Sequence, residues 1–314
     1  MRPQRVVALA GGVGAARFLA GLVQVVPPDE IAVVVNTGDD RDFFGLRVCP
    51  DIDIVTYTLA GAVQRETGWG LAGDTFECLG ALQRFRSDTW FQLGDRDLAT
   101  HIHRTSRLAE GAGLSEVTAE IARAFGVATR ILPMTEDPAP TGVVRTNGDR
   151  IDFEEYLVRE GAPGDVVDVD LSAAARARPA PGVVEAIERA ELLLICPSNP
   201  IVSIGTIRAV PAIEAALRAR RDAVCVSPLI GGAPVKGPVD HLLRAVGSEV
   251  SSLGVARLYS AIARGMVIDR VDARLAPEIE AAGVATRIAE TLMKDSKIAA
   301  QLAAVVIELA EALR

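Results

Sequence analysis

The chain is 314 residues long, enough for one large α/β domain or for one domain carrying a sizeable insertion. Hydrophobic residues make up 49% and aromatics only 4%, so a substantial core can be buried and Val, Leu, Ile and Ala must fill it. A net charge of -8 and a pI near 5.1 speak against nucleic acid as a partner, since an acidic surface repels a phosphate backbone, but they leave open small phosphorylated ligands that need only a local positive site.

The chain opens with Arg2 and Arg5 ahead of an apolar run, a leader-like start. Gly11, Gly12, Gly14 and Arg17 interrupt that run, so it reads better as a first strand (5–10) and its turn. An apolar helix is predicted from about Ala15 to Val26, stopped by Pro27 and Pro28. Residues 31–35, IAVVV, form a second buried strand that ends in Asn36-Thr37-Gly38-Asp39-Asp40. Pro50 opens a helix, with Ile52, Val55 and Leu59 following at helical spacing. Residues 71–85 and 95–125 read as mainly helical and 127–132 as a strand. A hairpin turns at Asn147-Gly148, and 160–182 reads as a surface connection. A helix (183–190), a strand (191–196), a Pro-Ser-Asn-Pro loop, a helix to about Ala219 and a strand (222–230) then follow. The last helix is predicted over 296–313. No apolar run is long enough to span a membrane.

Continuous β-branched runs separated by helices predict a parallel sheet covered on both faces. The expected architecture is α/β, a Rossmann-like three-layer sandwich with a mainly parallel sheet. Its core comprises about 1–60 and 183–314, and 61–182 is read as an inserted helical cap. Ligands of such sheets sit beyond the carboxyl ends of the strands. Four loops fall there: 11–17, 36–40, 197–206 and 227–238.

Each loop has a functional and a plain reading. The glycine turn fits either a phosphate cradle at a helix N-terminus or a tight strand-to-helix turn. It lacks the Lys-Ser/Thr of a P-loop, and Arg17 replaces the third glycine of a dinucleotide fingerprint. Asn36 stands about where a ribose-binding acid would end the second strand, which disfavours a dehydrogenase. Asp39-Asp40 with Asp51 and Asp53 offer the carboxylates that Mg²⁺ needs when phosphates complete its shell. Asp39 and Asp51 fit helix capping equally well. On the helix after Gly94, Arg96, Thr100 and His103 share one face, and Asp97, His101 and Arg104 the next. There the plain reading is an Asp97–His101 pair. Trp69 and Trp90 offer a face on which a flat tricyclic ligand could stack, with packing in the core the role expected of each. Cys49, Cys78, Cys196 and Cys225 form no C-x-x-C pair, so zinc is not expected, and lone thiols suit a reducing cytoplasm.

In chain order, GGVGAARFLAGL, NTGDD, PDIDIVTYTLAG, GDRDLATHIHR, LPMTEDP, SNPIVSIGTI and SPLIGGAPVKGPVDHL resemble the 2-phospho-L-lactate transferase family of coenzyme F420 biosynthesis. Its bacterial members include phosphoenolpyruvate transferases. The resemblance runs from about residue 8 to 260; no motif matches beyond. It implies Mg²⁺, a homodimer, a guanosine-diphospho carrier and the deazaflavin 7,8-didemethyl-8-hydroxy-5-deazariboflavin. It also implies Asp40 and Asp53 at the metal and acceptor-hydroxyl region, and Asp53 and Arg96 toward the deazaflavin. Gly11, Gly12, Gly14, Ser198, Asn199, Ser203 and Gly205 are implied on the guanosine-phosphate side. A related group with a similar glycine turn binds nucleotide-sugars and acts in regulation, but is not expected to carry PDIDIVTYTLAG with GDRDLATH.

Overall fold

A computed structural model describes residues 5–314. Arg2 of the leader-like start lies outside the described residues. Seven parallel strands form the main sheet: β1 (Val6–Ala10), β2 (Ile31–Val35), β3 (Arg130–Pro133), β4 (Leu192–Ile195), β5 (Ala223–Val226), β6 (Ala263–Asp269) and β7 (Ala285–Ala289). Their order is β7-β6-β5-β4-β1-β2-β3. Side chains of a strand alternate between faces. Val7 and Leu9 therefore enter one core layer, while Val6, Ala8 and Ala10 enter the other. Both faces of the central strands are dry, which is why β1, β2, β4 and β5 are apolar at every position. The Rossmann-like α/β sandwich expected from the sequence is the observed one.

Helix α1 (Gly12–Leu22) follows β1 with no intervening residue except Gly11, and starts earlier than its apolar pattern suggests. Helix α2 (Pro50–Leu59) opens on Pro50 as expected. Helix α3 (Asp97–Ala109) carries the GDRDLATH motif. Helix α4 (Ser296–Ala312) is capped by Asp295, whose carboxylate accepts from Ile298 N at 2.8 Å. It packs against α1, where a Cβ on Gly21 would collide with the Ala299 backbone.

Several expectations are corrected. Within 71–85 only Glu77–Leu82 is helical, because Gly70 and Gly73 adopt positive φ and turn the chain. The segment 160–182 is more than a connection: Val166–Asp170 pairs with Gly142–Arg145, making a three-stranded antiparallel sheet with the Asn147-Gly148 hairpin. The helix expected to Ala219 is two, Ile204–Ala209 and Pro211–Arg220, divided where Pro211 opens the second. The 222–230 strand ends at Val226, and a short hairpin follows. Residues 130–133 lie inside the span read as a cap, yet form an edge strand of the main sheet. No described helix is long and apolar enough to cross a membrane.

Candidate active site

The order of the sheet reverses between β1 and β4, which opens a crevice at the carboxyl edge. A cavity of about 660 Å³ occupies it. All four loops singled out above contribute to its wall.

The glycine turn is shaped by its neighbours. The Gly11 N–H donates to Ser198 Oγ at 3.1 Å and the Gly12 N–H to Asp51 Oδ1 at 2.7 Å. A Cβ on Gly11 would stand 2.7 Å from both Asp51 Oδ2 and Ser203 Cβ. A Cβ on Gly14 would stand 2.5 Å from the Pro197 carbonyl oxygen. Gly11 and Gly14 thus let the loops after β1 and β4 close onto each other. Gly14→Ala should force them apart and cost about 1–3 kcal/mol of stability, the usual range for overpacking. Urea unfolding checks this; an unchanged midpoint would mean that the loops yield freely.

Next to this turn lies a group of carboxylates. The Asn36 amide donates to Asp51 Oδ2 at 3.0 Å and to Asp39 Oδ2 at 3.2 Å, and Asn36 Oδ1 accepts from Gly38 N at 2.9 Å. Asp39 Oδ1 and Thr37 Oγ1 are buried without a partner. Burial, then the charges of Asp51 and Glu154, hold Asp39 well above the usual carboxylate range. Burial also raises Asp51 to about 6, against the lowering effect of its Asn36 and Gly12 hydrogen bonds. Glu154 rises to about 8 through burial and the charges of Asp51 and Asp152. Its place on the antiparallel subdomain left no sequence signal.

Asp40 does not line the cavity. It faces Cys49 and Arg104 behind the wall, and burial raises it to about 8 although the Cys49 hydrogen bond and the Arg104 charge oppose this. Asp39, its neighbour, takes the cavity-facing position.

Raised carboxyl groups make a stability prediction with a definite sign. Above about pH 4 the folded chain holds protons that the unfolded chain has released, on Asp51 up to about pH 6 and on Asp40 and Glu154 up to about pH 8. Stability therefore falls as pH rises through this window, at about 1.4 kcal/mol per pH unit for each such proton. Thermal melting should give a higher midpoint at pH 5.5 than at pH 8 in the presence of a chelator. The opposite order would show that these groups are ionised in the folded chain.

Asp53 lines the cavity beside Asp97 and His101. It forms a buried two-pronged ion pair with Arg104 Nη1 and Nη2, the first at 3.1 Å. Burial opposes the charge of Arg104, but Asp53 outweighs it and holds the guanidinium protonated. His101 Nδ1 lies 3.8 Å from Asp53 and its Nε2 lies 3.3 Å from Asp97, the expected i,i+4 partner. The Tyr57 hydroxyl donates to Asp97 Oδ1 at 2.6 Å. Burial works to raise Asp97, but His101 and Tyr57 outweigh it, and Asp97 is held low.

Of the other candidates, Ser198, Asn199 and Ser203 line the cavity with Gly11, Gly12 and Gly14. Gly205 does not; it is the second residue of the following helix, against Pro200. Arg96 is exposed and outside the lining, with its Nη1 donating to the Ala72 carbonyl at 3.0 Å. Both tryptophans depart from the core role expected of them, since half-buried Trp69 and Trp90 line the cavity with Phe91. Phe91 stacks on Phe43 at 3.9 Å between centroids, and Trp90 meets Phe43 edge-on at 5.3 Å, which holds this aromatic wall rigid.

These features define a Rossmann-like enzyme with one large cleft, aromatic on one wall and acidic at its floor. The 2-phospho-L-lactate transferase CofD family model matches residues 6–308. The chain is 46% identical over 316 residues to a phosphoenolpyruvate transferase of Streptomyces griseus, covering 99% of each. It is 36% identical over 299 residues to a 2-phospho-L-lactate transferase of Methanosarcina mazei, covering 95% of this chain and 98% of the relative. Among solved structures, a upf0052 family member from Bacillus halodurans superimposes with a TM-score of 0.63 at 15% identity, over 98% of this chain and 99% of the other. That likeness shows the fold alone. The chain belongs to the 2-phospho-L-lactate transferase CofD family, the F420-biosynthesis transferases that its motif series resembles, and is a transferase.

Proposed function

We propose that this transferase moves a phosphorylated three-carbon acid, 2-phospholactate or phosphoenolpyruvate, from a guanosine-diphospho carrier to a ribityl hydroxyl of 7,8-didemethyl-8-hydroxy-5-deazariboflavin, releasing GMP. The observation that carries this reading is one cavity that three aromatic side chains line together with a carboxylate that faces the interior. The names of the relatives support the phosphoenolpyruvate and 2-phospholactate alternatives. A deazaflavin ring would stack on the face of one of the aromatic side chains that line the cavity, Trp69, Trp90 or Phe91. The glycine turn with Ser198, Asn199 and Ser203 takes the guanosine-phosphate side.

Transfer between two oxygens needs positioning and charge neutralisation more than a protein nucleophile. Asp53 is the carboxylate for the acceptor hydroxyl: Arg104 holds it in one orientation and His101 stands behind it. From there it aligns the hydroxyl and takes its proton as the new phosphate ester bond forms.

The site also fits Mg²⁺. Among the described residues no three of His, Cys, Asp and Glu converge to hold an ion alone. Mg²⁺ asks for less, one or two carboxylates completed by substrate phosphates. Asp39 and Glu154, which form no ion pair among the described residues and are strongly raised, would hold it in place of the Asp40–Asp53 pair that the motif resemblance implies. Bound there, the ion supplies charge neutralisation at the phosphate being transferred. Because it replaces protons on these groups, Mg²⁺ should raise the melting midpoint more at pH 8 than at pH 5.5.

The test of function is turnover. The protein, Mg²⁺ and the deazaflavin are mixed with the lactyl, enolpyruvyl or glyceryl guanosine-diphospho donor, and products are followed by mass spectrometry. A phosphodiester adduct with one donor, lost on adding EDTA, is expected. Folded protein that binds guanosine phosphates yet forms no adduct with any donor would overturn the reading.

A further inference from the structure

An anionic donor entering this cavity meets a floor of carboxylates. The glycine turn offers it little relief, because the Gly11 and Gly12 N–H groups are already engaged by Ser198 and Asp51. Asp51 also sits against the positive end of α1, where a ligand phosphate would otherwise draw on the helix dipole. Positive charge must come from elsewhere in the wall.

Two cations supply it. Arg17 projects from the second turn of α1 and Lys236 from the loop after β5, and both line the cavity. Neither forms an ion pair among the described residues, although most arginines of this chain do. Lys236 is exposed at the rim of the cavity it lines, and its Nζ donates to the Thr67 carbonyl at 2.7 Å. One of its three donors is thus spent and two are free. Burial, then the charge of Arg17, hold its pKa below the ordinary lysine value. Two like charges share one wall without a counter-ion, which an incoming anion would correct.

Gly231 and Gly232 make the tight turn of the short hairpin that presents Lys236, with φ of 61° and 74°, and Val235 beside it is 51% exposed.

We propose that Lys236 and Arg17 form the anion subsite of this cavity and bind the phosphate groups of the donor. Naming the donor rests on the function proposed above; the anion subsite does not. Lys236 exchanges its Thr67 carbonyl for phosphate oxygen as the donor seats.

The test is calorimetric titration of the whole protein with guanosine diphosphate and, separately, inorganic pyrophosphate. Lys236→Met and Arg17→Met should each weaken both probes about 10- to 100-fold, the loss expected for one charged hydrogen bond. Lys236→Arg should restore most of the affinity. Lys236 lies on a surface loop, and melting curves confirm that each variant is folded. Lys236, Lys294 and Lys297 are the only lysines, so amine acylation read by mass spectrometry gives a second measurement. Pyrophosphate should protect Lys236 and leave Lys294 and Lys297 unchanged. Wild-type affinity for guanosine diphosphate in Lys236→Met would overturn the subsite and leave the transferase reading standing. Pyrophosphate binding that depends on Lys236, with no preference for guanosine diphosphate, would support the subsite and count against that reading. No binding of either probe by wild type would overturn the subsite.

Discussion

Arg104→Met is expected to cost about 3–5 kcal/mol of stability, the range for removing one partner of a buried ion pair. Arg104 is fully buried, and its two terminal nitrogens hold both oxygens of Asp53. Methionine fills most of the space but leaves Asp53 without its counter-ion, with Asp40 close by. Domains of this kind have about 5–15 kcal/mol in all, so this loss should shift urea unfolding far to the left. Replacing both partners, Arg104→Met with Asp53→Leu, should recover much of it, since the lone charge and not the lost attraction is what destabilises. An Arg104→Met protein within about 1 kcal/mol of wild type would show that water in the cavity screens the unpaired Asp53.

Asp53→Asn is expected to lower turnover by about 10²- to 10⁴-fold, the usual contribution of a positioned general base. The amide keeps the shape and one acceptor for Arg104, but cannot take a proton. Asp53→Ala is the poorer experiment, because it strands a buried guanidinium and damages the fold as well as the chemistry. Turnover should be measured with both substrates saturating and in protein shown to be folded. A rate within threefold of wild type would remove Asp53 from the reaction.

How far the sequence disclosed this site depends on the distance over which each feature is encoded. Strands β1, β2 and β4 are legible because every position is apolar and a glycine or proline follows within three residues. The glycine turn, the Ser198–Ser203 loop and the Asp97–His101 pair are also local, and the structure places them on one cavity. Strands β6 and β7 escaped notice. The first contains Arg264 and Gly265, and the second is half exposed at the sheet edge, so neither shows an unbroken apolar run. The choice of Asp39 over Asp40 as the cavity residue turns on one peptide's orientation, which adjacent identical residues do not encode. Glu154 and the Asp53–Arg104 pair are tertiary facts: the partners of the latter lie 51 residues apart, with no periodicity to link them. The cavity position of Trp69 and Trp90 ranked below core packing because a half-buried tryptophan reads the same in a core and in a cleft.

The sheet order also governs when the site comes into being. Val6 of β1 pairs with Ile31 of β2 on one side but with Leu192 of β4 on the other. During synthesis the glycine turn therefore emerges early and has no second wall until the chain has grown past Ser203. Helix α1 waits longer still, because its cover is α4 at the very end. Such long-range pairing slows folding and leaves apolar strand edges open in the nascent chain. Shortening the chain by its last helix should then be felt at the catalytic turn, the full length of the polypeptide away.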